Sequence, residues 1–238
     1  MKEEFDRVLV SMAEPADVDG ARVWFEARLA LLQALVPSPA LEASFCSTSV
    51  VDVLEPPVPP FGRYGHSRWR KLVLATLLAD WACYPTPGDQ VSFARLLQVM
   101  ETFPEGFRVW WAELPGEGWL PVGYTGWVPI QEVTFDHLET RAAALRVRTL
   151  PVLPAVDPEG AYIYLFNYSI IGPLRKTSCS RRMMRALAMD IEALPLRGLA
   201  AITVSEEGAR VAERFGMAES GVIGVDGTPD RAYTRRVG

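Results

Sequence analysis

The sequence predicts a mixed α/β fold of the α+β kind, with elements in the order strand, helices, hairpin, strand, helix, strand, helix, hairpin. Three stretches carry that reading. In Ala161–Ile191 (AYIYLFNYSIIGPLRKTSCSRRMMRALAMDI) an aromatic and β-branched run, Tyr162 to Ile171, suits a mostly buried strand. Gly172 and Pro173 end it, and Met183, Met184, Leu187, Ala188 and Ile191 then recur at helical spacing. Leu199 to Val204 is a compact apolar strand followed by a helix over 206–215 that Gly216 stops. Phe107–Glu113 and Trp119–Ile130 flank Leu114-Pro115-Gly116-Glu117-Gly118, where glycines supply a hairpin turn.

The remaining elements follow in chain order. Arg7–Met12 (RVLVSM) has the pattern of a short strand. A helix is predicted from about Val18 to Val36, with Val23, Phe25, Leu29, Leu32 and Leu35 as its apolar positions and Pro37 and Pro39 as its stop. Residues 40–62 give no clear pattern: Ser47-Thr48-Ser49 is polar, and Pro56, Pro57, Pro59 and Pro60 make Val53–Gly62 a stiff, extended connector. Ser67–Tyr84 is strongly helical, with Leu72, Leu74, Ala75, Leu78 and Ala79 on one side; Trp69, Trp81 and Tyr84 belong to the core or line an apolar channel. Gln90–Thr102 reads as another helix, and Pro129 ends the second hairpin strand or marks an edge. His137–Leu145 is a short helix, 150–160 a proline-rich loop, and Val222–Val225 with Ala232–Arg236 a last hairpin about Asp226-Gly227.

Composition narrows the function classes. The chain has 238 residues, 49% of them hydrophobic, which supplies a full core. A net charge of −5 argues against a general nucleic-acid binder, which carries a basic face. Cys46, Cys83 and Cys179 are odd in number and widely spaced, so they form neither a disulfide framework nor a metal pattern, and with only His66 and His137 no zinc or iron site is expected. The expected compartment is a reducing cytoplasm, with no signal peptide and no membrane span.

Against that acidic background, 175–182 is locally basic. Arg175, Lys176, Arg181 and Arg182 surround the start of a helix, where unpaired N–H groups and the positive end of the dipole favour an anion such as phosphate. The competing reading is a helix capped by Ser178 or Ser180 beneath solvated arginines.

Taken together, RVLVSMAEPADVDG as first strand and helix, Arg175-Lys176-Thr177-Ser178-Cys179-Ser180 as a phosphate-binding loop, and LAAITVSEEGARVAERFGM as the next strand and helix resemble the GNAT acyltransferase superfamily. The resemblance implies a single domain over 1–238 with a mixed, mostly antiparallel sheet, splayed between its fourth and fifth strands and flanked by helices. Residues 37–100 then form an enlarged helical insertion, and 161–217 an acyl-thioester-binding core. It further implies that acyl-CoA, or the phosphopantetheine of an acyl-carrier protein, is the acyl donor.

Main-chain groups of Ser169, Ile170 and Ile171 would pair with the pantetheine arm. Arg175, Lys176, Ser178, Cys179, Ser180 and Arg181 would hold the pyrophosphate, and an N–H near Ile170 would stabilise the oxyanion formed when an amine attacks. Serines stand where the family has glycines, and Ala212 where it often has a tyrosine acid. Glu113 and Tyr168 are the leading candidates for a base, with Glu132, Asp136 and His137 behind them. Ser205, at the end of the fifth strand, either contacts a reacting group or caps the next helix. Cys179 has no partner that would make it a nucleophile.

The reaction implied is N-acyl transfer to an amine of a small molecule or peptide. The apolar insertion suggests an acyl chain longer than acetyl or a hydrophobic acceptor. The alternatives are a non-catalytic module binding acyl-CoA or peptide, a thioester decarboxylase or S-acyl loader, and an interaction protein docking through its proline-rich segment. The acceptor and the oligomeric state, a homodimer among the options, are not set by the residues.

Overall fold

A computed structural model describes residues 18–36, 38–53, 67–84, 89–140, 150–225 and 228–237. The expected strand at 7–12, the proline-rich stretch from 54 to 62, the end of the helix predicted to reach Leu145 and the Asp226-Gly227 turn lie outside the described residues. The chain divides into two compact units, one of residues 1–125 and 169–185, the other of residues 126–168 and 186–238.

In the first unit, helix α1 (Val18–Leu35) precedes α2 (Pro39–Ser44), β1 (Cys46–Ser49) and α3 (Val50–Val53). The polar triplet Ser47-Thr48-Ser49, which carries no strand pattern, is part of β1, pairing antiparallel with β2 (Phe107–Leu114) from Cys46↔Trp111 to Ser49↔Arg108. Pairing rather than propensity makes it a strand, and its place at one end of the sheet order leaves its side chains half-exposed. Phe45 stacks on Trp110 at 5.1 Å between ring centroids beside that pair.

Helix α4 (Ser67–Cys83) buries Leu72 to Asp80 without a break. Its amphipathic stripe is therefore wider than the five apolar positions suggest. Helix α5 (Phe93–Thr102) begins three residues later than predicted, because Ser92 caps it by accepting from the Arg95 N–H at 3.2 Å. The β2–β3 hairpin turns on Gly116 and Gly118, both with positive φ, and β3 runs Gly118–Ile130, one residue past Pro129.

One polar arrangement lies wholly inside this unit. The Tyr124 hydroxyl donates to Asp80 Oδ1 at 2.7 Å, and Asp80 Oδ2 accepts from the Val91 N–H at 2.9 Å. Asp80 and Tyr124 are both buried. Charge-assisted bonds of this kind are strong, and breaking one strands a desolvated group.

In the second unit, α6 (Glu132–Thr140) starts five residues before the predicted His137, because Phe135 and Leu138 supply a buried face. Phe135 packs on Tyr162 of β4 (Ala161–Ile170), whose hydroxyl donates to Glu132 at 2.5 Å. Strand β5 is Leu196–Thr203, and α8 is Glu206–Arg214, ending at Gly216 with φ 73°. The last strands, β6 (Ala218–Val225) and β7 (Thr228–Arg236), form the expected hairpin, and β7 inserts between β5 and β6. Arg236 of β7 donates to Asp136 at 2.6 Å and Glu139 at 2.9 Å, pinning α6. Helix α7 (Ser178–Glu192) contributes residues to both units.

Seven strands form a sheet in the order β1-β2-β3-β4-β5-β7-β6. The sheet is mixed and mostly antiparallel, with β4 and β5 parallel. Among the described residues no helix is long and apolar enough to cross a membrane.

The Asp80–Tyr124 contact gives a stability test. Tyr124→Phe should destabilise the fold by about 1–3 kcal/mol, since it removes a buried hydrogen bond to a carboxylate. Thermal or denaturant unfolding of the two proteins measures it, and equal stability would remove this contact from the determinants of the core.

Candidate functional site

β4 changes partners along its length. Its parallel register with β5 runs from Ala161↔Leu196 to Leu165↔Ala201, with a shift after Ala161, and β4 then continues five residues to Ile170. The splay expected between these strands begins there. The last residues of β4 keep their tie to β3: the Ile171 N–H donates to the Val122 carbonyl at 2.9 Å. The Ile170 carbonyl, at the other end of the same peptide, accepts from Arg175 Nε at 3.2 Å. The 170–171 peptide is thus held at both ends by the protein, so of the three residues expected to offer main-chain groups, Ile171 has its N–H engaged internally.

Arg175 does something the sequence did not suggest. Besides Ile170 it donates to the Cys83 carbonyl, 3.4 Å away, in the last turn of α4. Carbonyls at a helix C-terminus lack intrahelical partners and sit at the negative end of the dipole, which suits a guanidinium. Arg175 therefore braces α4 against the end of β4. Next to it, Ser169 is buried and its hydroxyl makes no hydrogen bond of ordinary geometry. It lies beside the Cys83 thiol, which burial pushes up to about 12.

The loop into α7 has its own internal partners. Thr177, not Ser178 or Ser180, is the cap: its hydroxyl accepts from the Cys179 N–H at 3.2 Å and donates to the Leu174 carbonyl at 2.8 Å. Ser180 donates to the Thr177 carbonyl at 3.1 Å. Ser178 donates to the carboxylate of Glu42, from α2. Arg182 donates to the Glu42 carbonyl at 3.0 Å and lies over the Phe45 ring. Lys176 and Arg181 are exposed. Cys179 is buried, its thiol raised first by desolvation, which removes it as a nucleophile.

The candidates for proton transfer separate by environment. Tyr168 is half-buried on β4 just past the end of the β5 pairing, and burial pushes its phenol up to about 12, against the lowering influence of Arg214. A phenol so placed stays protonated at neutral pH and serves as a donor, not as a ready base. Glu113 is exposed near the end of β2, its N–H donating to the Ser44 hydroxyl at 3.1 Å. Glu132 and Asp136 are engaged by Tyr162 and Arg236, and His137 is exposed on α6. Ala212 is buried on α8. Ser205 caps α8, accepting from the Gly208 N–H at 3.1 Å.

The first unit thus gathers Ser169 to Arg181 and Glu113, and the second holds Tyr168 and Ser205. Among the described residues no cluster of His, Cys, Asp or Glu is arranged to hold a metal ion. Sequence reasoning did not single out Glu42, Asp80, Tyr124 or Thr203. The Thr203 hydroxyl, buried at the end of β5 and without a hydrogen bond, had one signal available: it is a hydroxyl directly after the apolar run Leu199–Ile202.

Ser205→Ala should cost about 1 kcal/mol of stability by exposing the first-turn N–H groups of α8. Unfolding curves measure it, and a loss well under half that value would mean the cap contributes nothing.

No protein-family model matches the sequence, and no curated protein matches it. Solved structures do match. The GphF GNAT-like decarboxylase in complex with isobutyryl-CoA superposes with a TM-score of 0.52 at 16% identity, over 70% of this chain and 95% of that one. The loading GNATL domain of CurA from Lyngbya majuscula gives 0.53 at 11% identity, over 81% and 97%. The NatC complex bound to Gag peptide and CoA gives 0.52 at 8%, over 82% and 99%. At these identities the likeness is one of fold. It agrees with the seven-stranded mixed sheet, its parallel β4–β5 pair and its flanking helices: the chain has the GNAT fold.

Proposed function

We propose that the chain is an acyltransferase that takes an acyl group from the thioester of coenzyme A, or of a carrier protein's phosphopantetheine, and passes it to an amine of a small molecule or peptide. One observation carries the reading: the parallel register of β4 with β5 stops at Leu165 while the Ile171 N–H, just past the end of β4, is bonded to Val122 of β3, within a GNAT fold. A pantetheine arm pairs there as an added strand. The solved structures with the same fold include ones holding isobutyryl-CoA or CoA, which supports the ligand class.

In this reading the amine nitrogen attacks the thioester carbonyl carbon. The C–N bond forms, the carbonyl oxygen takes up the negative charge, and the Ile170 N–H donates to it. Collapse breaks the C–S bond. The thiolate leaves readily because thiol pKa values lie near 8.5, and the Tyr168 phenol supplies a proton to it. The proton lost by the amine goes to a base, for which Glu113 is the remaining carboxylate candidate. Lys176, Arg181 and the first turn of α7 receive the pyrophosphate. The seat is not empty of charge: Glu42 places a carboxylate on Ser178 at that helix start, so a diphosphate must displace it.

A second reading, a thioester decarboxylase or S-acyl loader, is favoured by the engagement of Glu132 and Asp136, which leaves the amine's base poorly provided for, and by the names of two of the structures with this fold, a GNAT-like decarboxylase and a loading domain. It needs no amine.

Three outcomes test the proposal. Native mass spectrometry of the chain with acyl-CoAs from acetyl to dodecanoyl should show a one-to-one complex, and adding an amine panel should release free CoA. Absence of any complex rules the function out, a preference for acetyl-CoA rules out the longer-chain acyl group, and product from a malonyl thioester without amine selects the second reading. Glu42→Gln should tighten CoA binding roughly fivefold, about 1 kcal/mol, by removing the competing charge; isothermal titration measures it, and weaker or unchanged binding contradicts the displacement. Tyr168→Phe should lower turnover about 100-fold with little change in KM. Because the phenol's pKa is raised to about 12, its acid form persists through pH 10, so wild-type turnover should show no alkaline loss from Tyr168 below that pH. An unchanged rate in Tyr168→Phe would remove it as the acid.

A further inference from the structure

We infer that Gly123 of β3 is a positioning residue: its missing side chain lets the 169–170 peptide of β4 take the one orientation that turns the Ile170 N–H outward as a donor for an acyl carbonyl. The inference rests on the acyl-thioester reading above and deepens it. A Cβ built on Gly123 would stand 2.3 Å from the Ser169 carbonyl oxygen, 3.3 Å from the carbonyl carbon and 3.1 Å from the Ile170 Cα. The oxygen is nearer than its carbon by almost the length of a C=O bond, about 1.2 Å. The Ser169 carbonyl therefore points to the Gly123 side of β4, its oxygen leading.

A trans peptide is planar, with its N–H pointing opposite to its C=O. The Ile170 N–H must then point away from Gly123. The next peptide cannot substitute for it, because its N–H goes to Val122 and its carbonyl accepts from Arg175. Any side chain at position 123 would collide with backbone rather than with a flexible side-chain tip. Relief requires the 169–170 peptide to rotate or β4 to move off β3, and either re-aims the Ile170 N–H. A glycine inside a strand marks such close approach of another backbone. Gly172 is the natural control: a Cβ there meets nothing within 4 Å.

The test compares Gly123→Ala and Gly172→Ala with the wild type in acyl transfer, with CoA affinity measured by calorimetry. Gly123→Ala should lose about 100-fold in kcat, the size of one oxyanion donor, with CoA affinity falling far less, whereas Gly172→Ala stays within twofold of wild type. Equal kcat in folded Gly123→Ala overturns the inference. Should that variant not fold, the wild type decides. With 15N-isoleucine labelling, a non-hydrolysable carba analogue of acetyl-CoA should shift the Ile170 amide resonance and leave Ile171 nearly unmoved. Binding of the analogue with Ile170 unmoved overturns the inference while leaving the acyl-thioester reading standing; failure of the wild type to bind any acyl-CoA removes both.

Discussion

The site depends on how β4 divides its backbone between two neighbours. Up to Leu165 the strand pairs with β5; at its far end the chain is tied to β3, where the Ile171 N–H meets Val122. Extended ligands bind beside a strand where its pairing with a neighbouring strand stops. The 170–171 peptide is fixed at both ends, by Val122 and Arg175, which holds the end of the strand in a defined geometry without help from a ligand.

Helix α4 contributes to that geometry as well as to bulk. Helix α4 reaches β4 through the Cys83 carbonyl and Arg175, and reaches β3 through Asp80 and Tyr124. Two strands are thus tied to one helix by polar contacts, of which Asp80–Tyr124 is buried, where an unmet group is costly. The basic loop illustrates the same economy. Of its four cations, Arg175 and Arg182 are committed to carbonyls of the protein, leaving Lys176 and Arg181 at the surface for an anion, and Glu42 already stands at the helix start.

Much of this fold is legible in the residues because local signals agree with the tertiary outcome. Tyr162–Ile171 is aromatic and β-branched and becomes β4; Gly116 and Gly118 turn the hairpin; Gly216 ends α8. The failures have physical causes. Ser47-Thr48-Ser49 is a strand because Trp110 to Arg108 pair with it, a contact made more than fifty residues away. Thr177 rather than a neighbouring serine caps α7, since three hydroxyls within four residues offer no means of choosing between them before the backbone is placed. At the site, the pattern placed Ser169–Arg181 in the chain but not the direction of each group. A basic residue beside a helix start reads as a phosphate ligand, yet Arg175 faces two carbonyls that no local pattern announces. Glu42 and Gly123 escape for the same reason: each acts through a segment distant in sequence.

The central claim is that an acyl thioester lies along the second half of β4 and into the first turn of α7. Hydrogen–deuterium exchange of the full chain, with and without an acyl-CoA, tests it most directly. The claim predicts slowed exchange concentrated in residues 168–182, with the Ile171 amide, already bonded to Val122, slow in both states. Protection elsewhere with 168–182 unchanged would contradict it.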